Sequence, residues 1–263
     1  MPAEVDAITD FRRRGVLRAC YVPDDYPSSF FNAAGELVGF DIEVAHRFTR
    51  YFEVAIEFMP VGSIPEAAAR MDRGYCAVLM SLMAITPQRT TEFSMTAPVR
   101  SSPLGFIVHD HRRDQFRTWH DVGSLQHPRI GVAVDPSSQT DLARLVPGAV
   151  EVPFAAKADL EGILANGAPD LDAIVMYAEE AAAWTILHPA FAAVAPTPPR
   201  LRPSGYAVAR GNSDMLLLLD AWLLNAKSDG TMDELYGYWM LGKVKRTQPP
   251  RWSIARDVLG WID

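Results

Sequence analysis

At 263 residues, 49% hydrophobic and 22% charged, the chain has room for one large domain or two lobes and the composition of an ordinary globular protein. Its formal net charge of −7 argues against nucleic acid, which wants a basic footprint, and no stretch reaches the roughly 18 apolar residues of a membrane span. Met1 to Gly15 carries charges but no apolar h-region, so no signal peptide is expected; the protein is then cytoplasmic or a trimmed piece of a longer chain.

Residues 5–14 read as a short helix stopped by Gly15. Val16–Val22 is the first strand, ended by Pro23, and Asp24–Asn32 is a loop with Tyr26, Phe30 and Phe31. A short strand at Glu36–Val38 follows the Gly35 turn. Asp41–Phe52 has Ile42, Ala45, Phe48 and Phe52 near helical spacing. Ala55–Pro60 is a strand, Pro65–Arg73 a helix closed by Gly74, and Cys76–Met83 a third strand. The pattern then restarts, with strands at Ile130–Val134, Glu151–Phe154 and Asp172–Met176 alternating with helices at Ser137–Leu145, Lys157–Asn166 and Ala178–Leu187. Alternation of this kind predicts mostly parallel α/β sheets, and two successive units predict two lobes with a cleft, where pockets concentrate. Leu104–Val108 and Gly205–Ala209 are the expected crossovers between lobes. Ser213–Ala226 and Met232–Met240 read as helices, followed by a basic, proline-bearing linker at Lys243–Pro250 and a short amphipathic helix at Arg251–Ile262.

The segment Val78–Arg89 carries the strongest functional signal. A buried apolar run ends in a Thr86-Pro87 turn, with Arg89 three residues after the threonine. A guanidinium at a strand's carboxyl end is suited to grip a carboxylate through paired hydrogen bonds, and ligands of open α/β sheets bind outside those ends. Other chemistries are weakly represented. His109 and His111, expected at one strand end, read as a solvated loop beside Arg112-Arg113, and no Cys/His spacing for zinc is present. There is no dinucleotide or phosphate-loop glycine motif, and Ser137 lacks evident His/Asp partners for a nucleophile triad. No cofactor or metal is expected. Cys20 and Cys76 lie in or at apolar runs; two buried, inert thiols is the simpler reading, and a disulfide requires the two strands to be neighbours.

In order along the chain, Gly15-Val16-Leu17-Arg18, Gly35-Glu36-Leu37-Val38-Gly39-Phe40-Asp41, Ile85-Thr86-Pro87-Gln88-Arg89, Phe93-Ser94, Ile130-Gly131-Val132, Asp172-Ala173-Ile174-Val175 and Asp229-Gly230-Thr231 resemble the family 3 extracellular solute-binding proteins. Each motif is weak alone; together they span about residues 12–242. The resemblance implies a type II, two-lobed periplasmic-binding-protein clamshell. It has two mixed sheets flanked by helices and a two-strand hinge, with residues 1–107 and 207–263 in one lobe and 108–206 in the other. It implies that Arg89 holds a ligand carboxylate, the alternative being a surface arginine paired with Glu92. Ser81, Ala84 and Thr86 then flank the ligand, and Ser137 and Ser138 open a helix toward it from the second lobe, a position equally served by simple capping. Asp24, Tyr26 and Phe30 come from the first loop.

The departures are informative. Amino-acid binders carry an aspartate for the ligand ammonium where this chain has Tyr177, and a tyrosine cannot neutralise a buried ammonium. Glu179 or Glu180, one turn along, can substitute. A carboxylate without an ammonium, such as a dicarboxylate or an aromatic acid, is therefore favoured over a standard amino acid. The segment Tyr177–Pro189 also resembles cyclohexadienyl dehydratases, in which the counterpart of Glu180 is a catalytic acid, but a lysine of those enzymes is replaced here by Pro103-Leu104. A binding protein without catalytic residues is thus expected, with a dehydratase-like enzyme as the alternative. Tyr21-Val22-Pro23-Asp24, Phe30-Phe31-Asn32, Gly230–Tyr236 and Pro250–Ser253 resemble binding domains attached to dicarboxylate:cation symporters. The implied setting is periplasmic or extracytoplasmic, with a small organic acid or amino-acid-like ligand and a membrane transporter, fused or separate, as partners; tethering through a removed segment is one form of it. A ligandless regulatory domain of a transporter is the third reading.

Overall fold

The computed structural model describes residues 15–133, 142–154, 160–164 and 171–243. The chain divides into two compact units, Met1–Val99 with Ser204–Asp263, and Arg100–Pro203.

In unit 1 the strands are β1 (Val16–Tyr21), β2 (Phe30–Phe31), β3 (Leu37–Val38), β4 (Ala55–Pro60), β5 (Val78–Ala84), β6 (Phe93–Met95) and, at the return from unit 2, β12 (Leu201–Ala209). The helices are α1 (Phe40–Tyr51), α2 (Ile64–Met71), α3 (Arg89–Glu92), α6 (Ser213–Ser228) and α7 (Thr231–Trp239). The sheet order is β4-β1-β5-β12, with β6 also on β12. β1 lies parallel to both β4 and β5, so their carboxyl ends share one edge. Edge strand β4 alternates between exposed and partly covered residues, whereas central β5 is almost wholly buried, as a strand covered on both faces must be. Alternation sends Leu17, Ala19, Val78, Met80 and Tyr206 to one face, against Phe40, Phe48, Trp222 and Trp239 of the helices. Cys20, Leu79, Met83 and Ala207 go to the other, against Ala67, Met71 and Phe93.

The structure corrects the reading of free thiols. Cys20 and Cys76 form a disulfide, with Cα atoms 5.6 Å apart, because β1 and β5 are neighbours. It also corrects the Asp24–Asn32 loop. Phe30–Phe31 pairs with Leu37–Val38 as a hairpin, and Phe30 is fully buried.

Unit 2 contains β7 (Arg100–His109), β8 (Arg129–Ala133), β9 (Val150–Phe154), β10 (Ala173–Tyr177) and β11 (Phe191–Val194), with α4 (Trp119–Ser124) and α5 (Ala178–Leu187). The order is β7-β10-β8-β9, with β11 also on β7. β8 is parallel to β10 and β9, and β10 is antiparallel to β7. Asp172 locks this sheet: one carboxylate oxygen accepts from Arg112 at 2.6 Å and the other from the Arg129 N–H at 2.7 Å. His109 ends β7, but His111 falls in the 3-10 helix Asp110–Phe116 rather than on the strand end. Residues 142–145 are helical, as is Leu160–Gly162, and the helical turn continues through 163–164; the start of the helix expected at Ser137 and residues 157–159 and 165–166 of the one expected at Lys157–Asn166 lie outside the described residues, as do the helices expected at 5–14 and Arg251–Ile262.

Candidate functional site

The shared carboxyl edge of β1 and β5 in unit 1 gathers most of the residues singled out in the sequence. β5 runs beyond the last pairing with β1, Cys20 to Leu79, so its end needs other partners. Side chains supply them. The Val22 N–H donates to Ser81 Oγ at 3.0 Å, and the Leu82 N–H donates to Asp41 Oδ2 at 2.9 Å. Asp41 has no exposed surface, and its Oδ1 accepts from the Tyr206 hydroxyl at 2.7 Å. The Tyr206 N–H in turn donates to Thr96 Oγ1 at 3.0 Å. One buried carboxylate thus ties the start of α1, the end of β5 and β12 together.

After Ala84 the chain turns through Thr86-Pro87. Thr86 Oγ1 accepts from the Arg89 N–H at 3.2 Å, and the Thr86 carbonyl accepts from the Thr90 N–H at 3.1 Å. This starts α3 and folds Arg89 back on the strand it follows. Its Nη1 donates to the Ala84 carbonyl at 3.1 Å, and the residue is only 8% exposed. Arg89 is therefore a buried arginine held in place, not a surface one. A guanidinium held back against the strand it follows is pre-organised for a planar anion, since less side-chain freedom remains to be lost.

The first loop is fastened on both sides. Ser29 Oγ donates to the Val22 carbonyl at 2.5 Å, and the Ser28 and Ser29 N–H groups both donate to the Asp25 carbonyl at 2.7 Å. The N–H groups of Phe40 and Asp41 at the start of α1 donate to the Pro27 and Ser28 carbonyls. That approach needs Gly39: its φ is 131°, and a Cβ there would lie 2.2 Å from the Ser28 oxygen. Within this frame Asp24 is exposed with φ of 61°, and Tyr26 stacks on Phe30 with centroids 4.1 Å apart. Burial raises the pKa of the Tyr21 and Tyr26 hydroxyls, and the nearby Asp24 carboxylate raises both further. Phe30 itself is core, so of the expected aromatic contacts Tyr26, at 38% exposure, and Phe31, at 51%, offer surface. The edge therefore combines a buried cation, an exposed carboxylate and an exposed aromatic ring.

In unit 2, Tyr177 ends β10 and precedes α5, whose first turn carries Glu179 and Glu180. Acidic residues in a first turn also favour the helix dipole, so their placement has a structural reason of its own. Ser137 and Ser138 lie outside the described residues. Sequence reasoning passed over Asp41, Thr96 and Tyr206. For Asp41 a signal existed, an acidic residue between Phe40 and Ile42 on a helix that must bury one face.

The family model for bacterial extracellular solute-binding proteins, family 3, matches residues 17–242. The chain is 22% identical to the amino-acid-binding protein AabA of Dichelobacter nodosus, covering 82% of this chain and 85% of that protein. It is 23% identical to a putative ABC transporter arginine-binding protein of Escherichia coli (strain K12), covering 81% and 86%. An ancestral arginine-binding protein bound to glutamine superposes with a TM-score of 0.72 at 26% identity, over 86% of this chain and 98% of that one. A putative ABC transporter binding component from Wolinella succinogenes, complexed with lysine, gives 0.75 at 20% identity, over 87% and 97%, a likeness of fold alone. These are two-lobed binding proteins, the fold expected from the motif order, and the curated relatives are an amino-acid-binding protein and a putative arginine-binding one. The chain belongs to the bacterial extracellular solute-binding proteins, family 3.

Proposed function

We propose that this protein is an extracytoplasmic receptor for a small carboxylate-bearing solute of amino-acid type, gripped by Arg89. The observation that carries the reading is the buried guanidinium, fixed by Ala84 at the carboxyl end of β5. Ser81, Ala84 and Thr86 shape the strand end around the carboxylate. Tyr26 provides a ring for the rest of the ligand, and Asp24 a negative charge for a cationic group. Tyr177 and Glu180, with Ser137 and Ser138, meet the ligand from unit 2 on closure, which shifts an open–closed equilibrium. The receptor hands its solute to a membrane transporter, either a separate ABC system or a fused symporter that also tethers it.

A second reading rests on Tyr177. With no aspartate at that position, an acid lacking an ammonium, such as a dicarboxylate, fits the same arginine. A thermal-shift panel of cationic, neutral and acidic amino acids, dicarboxylates and prephenate separates them. A ligand at about 100 times its Kd adds roughly 2.7 kcal/mol. Arginine or lysine as the strongest hit supports the Asp24 role, and a dicarboxylate supports the second reading. Turnover of prephenate to phenylpyruvate, lost in Glu180→Gln, would replace both with a lyase. A flat panel would favour the ligandless regulatory domain.

A further inference from the structure

Helix α6 is apolar on two sides. Met215, Leu219, Trp222, Leu223 and Ala226 face the core of unit 1. On the opposite side Leu217 and Leu224 are each 66% exposed, with exposed Ala221 between them. The i, i+4, i+7 spacing puts these three on one stripe, and a helix apolar on both sides is one that is normally covered on both. Leu241, 53% exposed, follows α7, which packs with α6 in the same core.

The chain itself supplies a matching segment. The family match ends at residue 242, and the sequence continues for another twenty-one residues. Of these, 251–262 repeat apolar residues at helical spacing: Trp252, Ala255, Leu259 and Ile262, flanked by Ile254, Val258 and Trp261. The link between, residues 244–250, spans about 24 Å when extended. That equals the length of a sixteen-residue helix such as α6, about 24 Å, so the link is long enough to run the length of the stripe. A short tether holds such a segment at millimolar effective concentration, well above that of any separate partner.

We propose that residues 251–262 dock in cis as an amphipathic helix on the Leu217–Ala221–Leu224 stripe of α6. The tail is an added layer of this chain on the outer side of unit 1, beyond the region shared with its family.

The test is photocrosslinking in the full-length chain, with p-benzoylphenylalanine placed at Leu217 or Leu224, exposed positions that hold the probe without repacking the core. An equal mixture of light and isotopically heavy protein is irradiated and the crosslinked peptides are mapped. Docking in cis predicts crosslinks to 251–262 with both halves of the same isotope. Mixed light–heavy products would assign the stripe to a second copy and overturn the proposal. So would crosslinks that avoid the tail. The double variant Trp252→Ala, Trp261→Ala is expected to lower the docked-to-free ratio about 30-fold, the size of a binding hot spot. An unchanged crosslink yield in that variant would show mere proximity and sink the idea.

Discussion

Replacing Asp41 by alanine tests whether the edge that carries Arg89 is held as described. The variant removes the acceptor of two hydrogen bonds to a fully buried carboxylate, from the Leu82 N–H at 2.9 Å and the Tyr206 hydroxyl at 2.7 Å. Hydrogen bonds to charged groups contribute about 1.5–3 kcal/mol each, so the loss is about 3–6 kcal/mol of unfolding free energy. Tyr206→Phe deletes one of the two and should cost about half as much. Asp41→Asn keeps an acceptor for the Leu82 N–H and should fall between Tyr206→Phe and the wild type. Denaturant unfolding followed by tryptophan fluorescence reads these differences as shifts in midpoint at constant slope. Because Leu82 adjoins Ser81 on the strand that leads to Arg89, ligand affinity should fall in the same order. A change below about 1 kcal/mol in Asp41→Ala would refute the reasoning, since it would mean the carboxylate does not hold β5.

Other outcomes follow from the same structure. Replacing Cys20 and Cys76 by serine opens a loop with a sequence separation of 56 and should lower stability by about 4 kcal/mol on the chain-entropy model, read by denaturant melts of oxidised wild type and variant. Gly39→Ala forces a Cβ onto the Ser28 carbonyl; the first loop must shift, and binding should weaken more than unfolding stability changes, measured by calorimetry beside a melt. The raised pKa of Tyr21 and Tyr26 makes the unfolded chain release those protons first, so stability should fall as pH rises past 10.0. Asp24→Asn should bring the ultraviolet titration of these tyrosines to lower pH and soften that fall; an unmoved titration would mean that Asp24 is not close to them.

Where local pattern suffices, the sequence was legible. β4 at Ala55–Pro60 and α5 at Ala178–Leu187 have the bounds read from alternation and helical spacing, and Arg89 stood out because a buried strand ends in Thr86-Pro87. The Phe30–Phe31 strand was hidden because two residues show no alternation and Pro27, Ser28 and Ser29 signal a turn. Phe191–Val194 was hidden behind Pro189 and two alanines, which are poor strand formers. The Asp41 network could not be read, because its partners lie 41 and 165 residues away, and neither could the disulfide, which depends on β1 lying beside β5. What escaped was set by tertiary pairing rather than by local preference.

The most direct measurement is isothermal titration calorimetry of the strongest ligand from the panel, with wild type and Arg89→Ala side by side. If the buried guanidinium holds the ligand carboxylate, the variant stays folded and loses at least about tenfold in affinity, while an analogue with its carboxylate amidated binds both proteins equally weakly. Unchanged affinity in a folded Arg89→Ala would remove Arg89 from the site and contradict the account.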